Sequence, residues 1–352
     1  MSVLCRHFGT CGGCAHQDLD DAIYRARKRA SVIEALARHG VGAEVAEVVE
    51  VPPGSRRRCV LKIKRTADGA AVGFHGRASH SIVDMHECRV LTPRLVALVS
   101  RLREVMRTVL NAGETCEAHA TDADNGIDLM LRWRQRVSPS LLASLASWAR
   151  KSGVARITAG GDIAFELEEP FVEIASAKLT LPPGAFLQPT REGEIVLQRG
   201  VLERTAGAKS IADLFSGCGT FALALAARAK VHAVESEPSQ IDALSRAVKS
   251  AHGLKPVTTE RRDLFKHPLS AAELSRFDAV VLDPPRAGAA AQVAEIAPSK
   301  VARVAYVSCN PESFARDAAK LGAAGWRAGV VLPVDQFLWS EHIELVAGFT
   351  RE

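Results

Sequence analysis

The chain has no run of roughly 18 apolar residues, the length a helix needs to cross a bilayer, so nothing in it reads as a membrane span. Its beginning lacks the apolar core of a secretory signal. Cys5, Arg6 and His7 stand where that core would lie, so a reducing, cytoplasmic setting is expected. Eight cysteines in such a setting are not expected to pair as disulfides. There is no internal repeat and no low-complexity tract. One charge sign is locally missing: from Ser55 to Arg65 the cations Arg56, Arg57, Arg58, Lys62, Lys64 and Arg65 occur with no acid among them. Such a stripe suits phosphate contacts, or else a solvated edge strand protected by its charge. The glycine turn at 217–219 also lacks the last glycine of G-x-G-x-x-G, since Phe221 and Ala222 follow, which argues against a nicotinamide cofactor.

A length of 352 residues allows two or three domains, and 24% charged with 47% apolar residues is ordinary for a soluble globular chain. Residues 18–40 have the apolar spacing of a helix that Gly40 stops, and 91–110 and about 138–152 read as further helices. Between them the pattern is strand-like, with Pro52-Pro53-Gly54 and Asp68-Gly69 as turns. Residues 1–180 thus read as an α+β accessory region, its first helix placed to pack on the domain that follows. From about 191 helices and strands alternate: strands at 210–215, 231–235, 256–260, 277–283 and 301–308, separated by helices. That alternation predicts a doubly wound, Rossmann-like parallel sheet in residues 181–352, with right-handed crossovers and strand order 3-2-1-4-5.

Four groups of residues carry chemistry. Cys5, Cys11 and Cys14, with Gly12 and Gly13 in the tight pair, supply three thiols, and Cys88 is the best distant fourth. Three local cysteines and one remote one form an iron–sulfur pattern, with zinc as the alternative. Gly217 and Gly219 in Ser216-Gly217-Cys218-Gly219-Thr220 let a ligand approach the backbone after the first strand. Glu235 ends the second strand, where an acid suits ribose hydroxyls, and Asp263 ends the third, near an adenine edge. A ribose acid without phosphate glycines suggests a nucleoside without a diphosphate, which fits S-adenosylmethionine. Asp283-Pro284-Pro285-Arg286 ends the fourth strand. Amino-methyltransferases usually carry an aromatic residue where Arg286 stands. Cys309, in Ser308-Cys309-Asn310-Pro311, ends the fifth strand, facing the same cleft as Asp283. There it is either an inert buried thiol or a nucleophile. His342-Ile343-Glu344 follows.

With these motifs, and with Phe186-Leu187-Gln188, the chain resembles the S-adenosylmethionine-dependent RNA uracil-5-methyltransferases, from Cys5 to Glu344. The resemblance implies that Gln188, Phe215, Gly217, Thr220, Glu235, Asp263 and Asp283 line the cofactor and base pocket. It implies Cys309 as nucleophile and Glu344 as general base, with Asp283 near the polar edge of the uracil. The family often has Asn where Thr190 and Thr220 stand. Many relatives carry an N-terminal oligonucleotide-binding β-barrel (TRAM), which is expected to be absent because four residues precede Cys5. The cysteine cluster favours the iron–sulfur type that acts on 23S rRNA. The implied activity is methylation of carbon 5 of a flipped uridine by a monomeric enzyme, through a covalent adduct at carbon 6. The alternatives are a T-loop transfer-RNA enzyme and a non-catalytic RNA-binding iron–sulfur protein.

Overall fold

The computed structural model describes residues 4–133 and 137–351. Up to residue 180 the elements are α1 (Asp21–Arg38), β1 (Val49–Glu50), β2 (Arg58–Arg65), β3 (Ala70–His75), β4 (Ile82–Asp84), α2 (Pro93–Val109), β5 (Thr115–Ala123), β6 (Gly126–Trp133), α3 (Pro139–Ala149), β7 (Val154–Ala159), β8 (Asp162–Glu166), β9 (Phe171–Ile174) and β10 (Ala177–Thr180). Then come α4 (Arg191–Arg204), β11 (Ser210–Leu214), α5 (Thr220–Ala226), β12 (Lys230–Glu235), α6 (Pro238–Ser250), β13 (Val257–Arg261), α7 (Ala271–Leu274), β14 (Ala279–Leu282), α8 (Ala290–Ile296), β15 (Arg303–Ser308), α9 (Pro311–Ala323), β16 (Arg327–Ala328), β17 (Leu332–Asp335) and β18 (Glu344–Thr350). Among the described residues no helix is long and apolar enough to cross a membrane.

The strands form two large sheets. One runs β4-β3-β2-β5-β6-β7-β8 and carries α2 and α3 on its apolar side. Pro93 starts α2 at a position where its missing N–H costs nothing, and Leu95, Leu98, Val99, Leu102 and Met106 bury the helix on the sheet. The other sheet runs β1-β17-β18-β15-β14-β11-β12-β13. Its part β13-β12-β11-β14-β15 is parallel and has the 3-2-1-4-5 order expected from the alternating pattern. Both faces are covered, which is why Ala279–Leu282 and Val304–Ser308 are continuously buried rather than alternating.

Two features depart from the sequence reading. The sheet is mixed: β18 runs antiparallel to β15 and to β17. No helix separates β17 from β18, only residues 336–343, and a connection that short returns the chain antiparallel. The second departure is at Val49–Glu50, read as part of the accessory region, which pairs with Val334–Asp335 at the edge of the large sheet. α1 packs on α9. Lys28, on the buried face of α1, makes a 2.9 Å ion pair with the fully buried Asp335, and Tyr24 donates to the same carboxylate. A buried carboxylate beside the end of β17 is therefore neutralised by the N-terminal helix.

Candidate active site

The glycine turn follows β11, and its backbone is forced. Phe215, Gly217 and Gly219 all have positive φ, at 62°, 56° and 97°. A Cβ on Gly219 would lie 2.5 Å from Leu244 Cδ1, so only glycine fits there. Glu235, at the end of β12, reaches across to the turn: its Oε2 accepts from the Gly217 N–H at 3.1 Å. Its Oε1 accepts from the N–H groups of Ser236 and Glu237. Asp263 is held by the Phe265 N–H at 3.1 Å and by Lys266. Phe265 stands 5.3 Å from Phe215, ring centre to ring centre, and lines the same cleft. The sequence reading missed Phe265; a phenylalanine two residues beyond Asp263 was its only signal.

The cleft has a volume of about 600 Å³. Every residue expected in the cofactor and base pocket lies on its wall: Gln188, Phe215, Gly217, Thr220, Glu235, Asp263 and Asp283, together with Cys309 and Glu344. Thr190 lies outside it; its hydroxyl caps α4 by accepting from the Gly193 N–H at 3.0 Å.

The chemistry collects at the carboxyl edge of the sheet. Asp283 follows β14 and Cys309 follows β15. The antiparallel register pairs Ser308 with Leu345, so Glu344 begins β18 beside Cys309. The loop bearing Cys309 is braced locally: Asn310 accepts from the Glu312 N–H and donates its own amide to the Arg286 carbonyl at 2.9 Å. One side chain thus fixes the Cys309 loop to the Asp283–Arg286 loop.

Behind these groups runs a buried chain of amides. Gln188 donates to Asp283 Oδ2 at 3.3 Å. Gln336 donates to Gln188 Oε1 at 2.7 Å and to Glu344 Oε2 at 3.1 Å. Burial pushes Asp283 up to about 7. Burial pushes Glu344 up to about 8, helped by the Asp283 charge and opposed by the Gln336 hydrogen bond. The Cys309 thiol is pushed up to about 11, first by desolvation, then by the charges of Glu344 and Asp283, with Arg286 opposing. Beneath the turn, Asp213 is fully buried, and desolvation and then Asp283 raise its pKa well above the usual range, with the Ala222 backbone N–H opposing. The site is therefore a set of acids that resist ionising together.

The basic stripe divides. Arg57 is not at the surface: it is 5% exposed and pairs with the buried Glu194 at 2.6 Å. Its Nε donates to the Gln188 carbonyl and its N–H to the Pro189 carbonyl. Arg58 donates to the Leu187 carbonyl and stacks over Phe186 at 4.4 Å. These two side chains grip the segment that carries Gln188, so a phosphate role is withdrawn for Arg57, whose guanidinium is already buried against a carboxylate. Lys62 pairs with Glu117, and Lys64 faces solvent.

A second cavity, of about 530 Å³, adjoins the first and shares Arg56, Arg286, Cys309 and Phe337 with it. Cys5, Cys11, Cys14 and Cys88 all line it. Besides these four and Cys309, its wall carries Cys59, on β2, a thiol that the spacing argument did not include. The cysteine loop is pinned at both ends: the Gly12 N–H donates to the His75 carbonyl, and those of Ala15 and His16 donate to the Trp339 carbonyl. Cys14 is pushed up to about 12, first by burial, with the Gln17 hydrogen bond opposing and the charges of Cys88, Cys11 and Cys5 adding to the rise. The four thiols thus stand in one another's field. Among the described residues, however, no three His, Cys, Asp or Glu side chains converge closely enough to hold a single metal ion.

A family profile described as tRNA (uracil-5-)-methyltransferase matches residues 176–351. An uncharacterised RNA methyltransferase of Rhizobium meliloti is 42% identical over 97% of this chain and 84% of its own length. The 23S rRNA (uracil(1939)-C(5))-methyltransferase RlmD of Cronobacter sakazakii is 32% identical over 99% of this chain and 82% of its own. Among solved structures, the Pyrococcus abyssi tRNA (uracil-54, C5)-methyltransferase in complex with S-adenosyl-L-homocysteine superposes with a TM-score of 0.73. It covers 96% of this chain and 86% of its own at 24% identity, a likeness of fold. The chain is a methyltransferase and belongs to the tRNA (uracil-5-)-methyltransferase family.

Proposed function

We propose that this protein transfers a methyl group from S-adenosylmethionine to carbon 5 of a uridine in RNA. The observation that carries the reading is the meeting of one thiol, Cys309, and two carboxyls, Asp283 and Glu344, on one wall of the cofactor-sized cleft. The cosubstrate supplies an electrophilic methyl carbon, and Glu235, Asp263 and the Gly217 turn hold its nucleoside end. Carbon 5 of uracil is a weak nucleophile. The Cys309 thiolate adds to carbon 6, and the electron pair released to carbon 5 forms the bond to the methyl carbon as the methyl–sulfur bond breaks. Asp283, with a pKa raised to about 7, is suited to hydrogen-bond the uracil polar edge in either protonation state. Glu344 then removes the carbon 5 proton, and the pair left behind expels the Cys309 sulfur from carbon 6. The target base must leave its stack to enter so enclosed a cleft.

The relative named for 23S rRNA, aligned over nearly the whole chain, supports ribosomal RNA as the substrate. Separate apolar cores support a division into an RNA-binding region and a methyltransferase domain, expected as residues 1–180 and 181–352, but α1, β1 and the β9–β10 hairpin pack with the latter. An all-thiol donor set around one cavity suits a [4Fe–4S] cluster on Cys5, Cys11, Cys14 and Cys88. The support is that the four thiols line one cavity, and zinc on the same four ligands is the alternative.

The test is covalent. RNA containing 5-fluorouridine should trap the wild-type protein as an adduct stable on a denaturing gel, because fluorine cannot leave as a cation. Cys309→Ala should form none. Glu344→Gln should accumulate a methylated adduct with ordinary RNA. An adduct with Cys309→Ala would move the nucleophile elsewhere. Mapping 5-methyluridine in 23S rRNA and in transfer RNA, from cells with and without the protein, decides the substrate.

A further inference from the structure

Gln336 belongs to none of the motifs that mark the site, yet it is completely buried at its centre. It is the first residue after β17, on the same sheet edge as Cys309 and Glu344. One amide nitrogen spends both of its protons there, on Gln188 Oε1 and on Glu344 Oε2. With Gln188 donating in turn to Asp283, the chain of amides ends on a carboxyl oxygen at each side, Glu344 Oε2 and Asp283 Oδ2. The far end of the amide, Gln336 Oε1, has no hydrogen-bond donor. It lies against Gly193, where a Cβ would stand 2.7 Å away. A buried orphan acceptor is costly, so the orientation is retained for what the nitrogen does.

We propose that Gln336 is a positioning residue for proton removal: its amide holds Glu344 as a hydrogen-bond acceptor, ready to take the carbon 5 proton, and orients the Gln188 amide toward Asp283. The inference rests on the reading of Glu344 as general base. Turning the Gln336 amide over would set its oxygen against Gln188 Oε1 and Glu344 Oε2. That arrangement is tolerable only if Glu344 is protonated and Gln188 turns as well, which in turn demands a proton on Asp283. The observed polarity is the one that serves ionised carboxylates. The other groups near Glu344 work against ionisation: Asp283 after β14 is a like charge, and Cys309 after β15 becomes one when it ionises. Arg286 acts on Cys309. α4 packs on β18, but its buried carboxylate, Glu194, is engaged by Arg57. Asp335, next to Gln336, is engaged by Lys28 and Tyr24. Among the described residues, Gln336 is thus the donor that favours the charged base.

The experiment uses the full-length protein and RNA tritiated at carbon 5 of uridine. Tritium release to water reports proton removal, and methyl incorporation in a single turnover reports the earlier step. In Gln336→Met, which keeps the volume and removes the donor, the pH at half-maximal tritium release should rise by about one to two units, the range for a hydrogen bond to a charged group. Methylated adduct should accumulate below that pH. Gln336→Glu, of the same size, places a third carboxyl in the cluster and should shift the profile at least as far. It carries the test if the Met variant does not fold, with binding of S-adenosylhomocysteine as the check on folding. An unshifted profile in either folded variant overturns the assignment of Gln336. Failure of the wild type to form the 5-fluorouridine adduct instead overturns the reading of the site itself.

Discussion

Glu344 should make the protein less stable as pH rises, and its removal should relieve that loss. The carboxyl is 3% exposed, and its pKa is raised from the usual 4.5 to about 8, chiefly by desolvation. Below about pH 4.5 it carries its proton in both the folded and the unfolded chain and has no effect. Between 4.5 and 8 the unfolded chain ionises while the folded chain does not, so the folded state is increasingly disfavoured. Above 8 the penalty levels off. At about 1.4 kcal/mol per pH unit the gap amounts to about 5 kcal/mol, an upper limit because part of it is repulsion shared with Asp283. Glu344→Gln has no proton to exchange, and its amide oxygen can still accept from Gln336. Urea unfolding of both proteins at pH 5, 6, 7 and 8 isolates the effect. Asp283 and the histidines titrate in both, so they largely cancel in the difference. The variant should gain on the wild type by several kcal/mol across the window, with most of the gain made before pH 8. Parallel stability curves would refute the argument, since they would mean that Glu344 ionises as readily in the folded protein as in water.

The divided basic stripe gives a second prediction. Arg57→Ala strands Glu194 in the interior and should cost about 3–5 kcal/mol of stability. Lys64→Ala should leave the thermal midpoint unchanged and lower the salt slope of RNA binding by about one, measured by filter binding across a salt series. A stable Arg57→Ala with a flattened slope would restore the phosphate role to the buried residue. The third prediction concerns the thiols. Protein purified without oxygen should be brown, and Cys14→Ala or Cys88→Ala should lower iron per chain. Colourless protein with one zinc per chain would replace the cluster while keeping the four ligands.

What the sequence disclosed and what it hid differ in physical kind. The strand-end residues Glu235, Asp263, Asp283 and Cys309 were legible because a parallel sheet puts the end of every strand at one edge, and each strand announces itself by a local apolar run. Gly217 and Gly219 were legible because a turn of that curvature needs a residue without Cβ. Glu344 was reachable only through the His342-Ile343-Glu344 motif. Its place beside Cys309 depends on β18 pairing antiparallel with β15, and no local periodicity encodes strand direction. Gln336 left no trace, since its meaning lies in a hydrogen bond to Gln188, 148 residues earlier in the chain. Arg57 was misread for a related reason. A run of cations looks solvent-facing until the acid that buries one of them is known, and Glu194 lies 137 residues away on α4.

The loop from 336 to 343 joins these hidden contacts. Trp339 holds a left-handed backbone at φ 59°, unfavourable for so bulky a residue. Its N–H donates to the Tyr24 hydroxyl, and its carbonyl accepts from Ala15 and His16, just past Cys14. Lys28 donates to the His342 carbonyl. The strained loop is thus held from outside by the segment that follows the cysteines; it begins at Gln336 and leads into Glu344. The cysteine loop and α1 thereby brace the loop that sets Gln336 apart from Glu344.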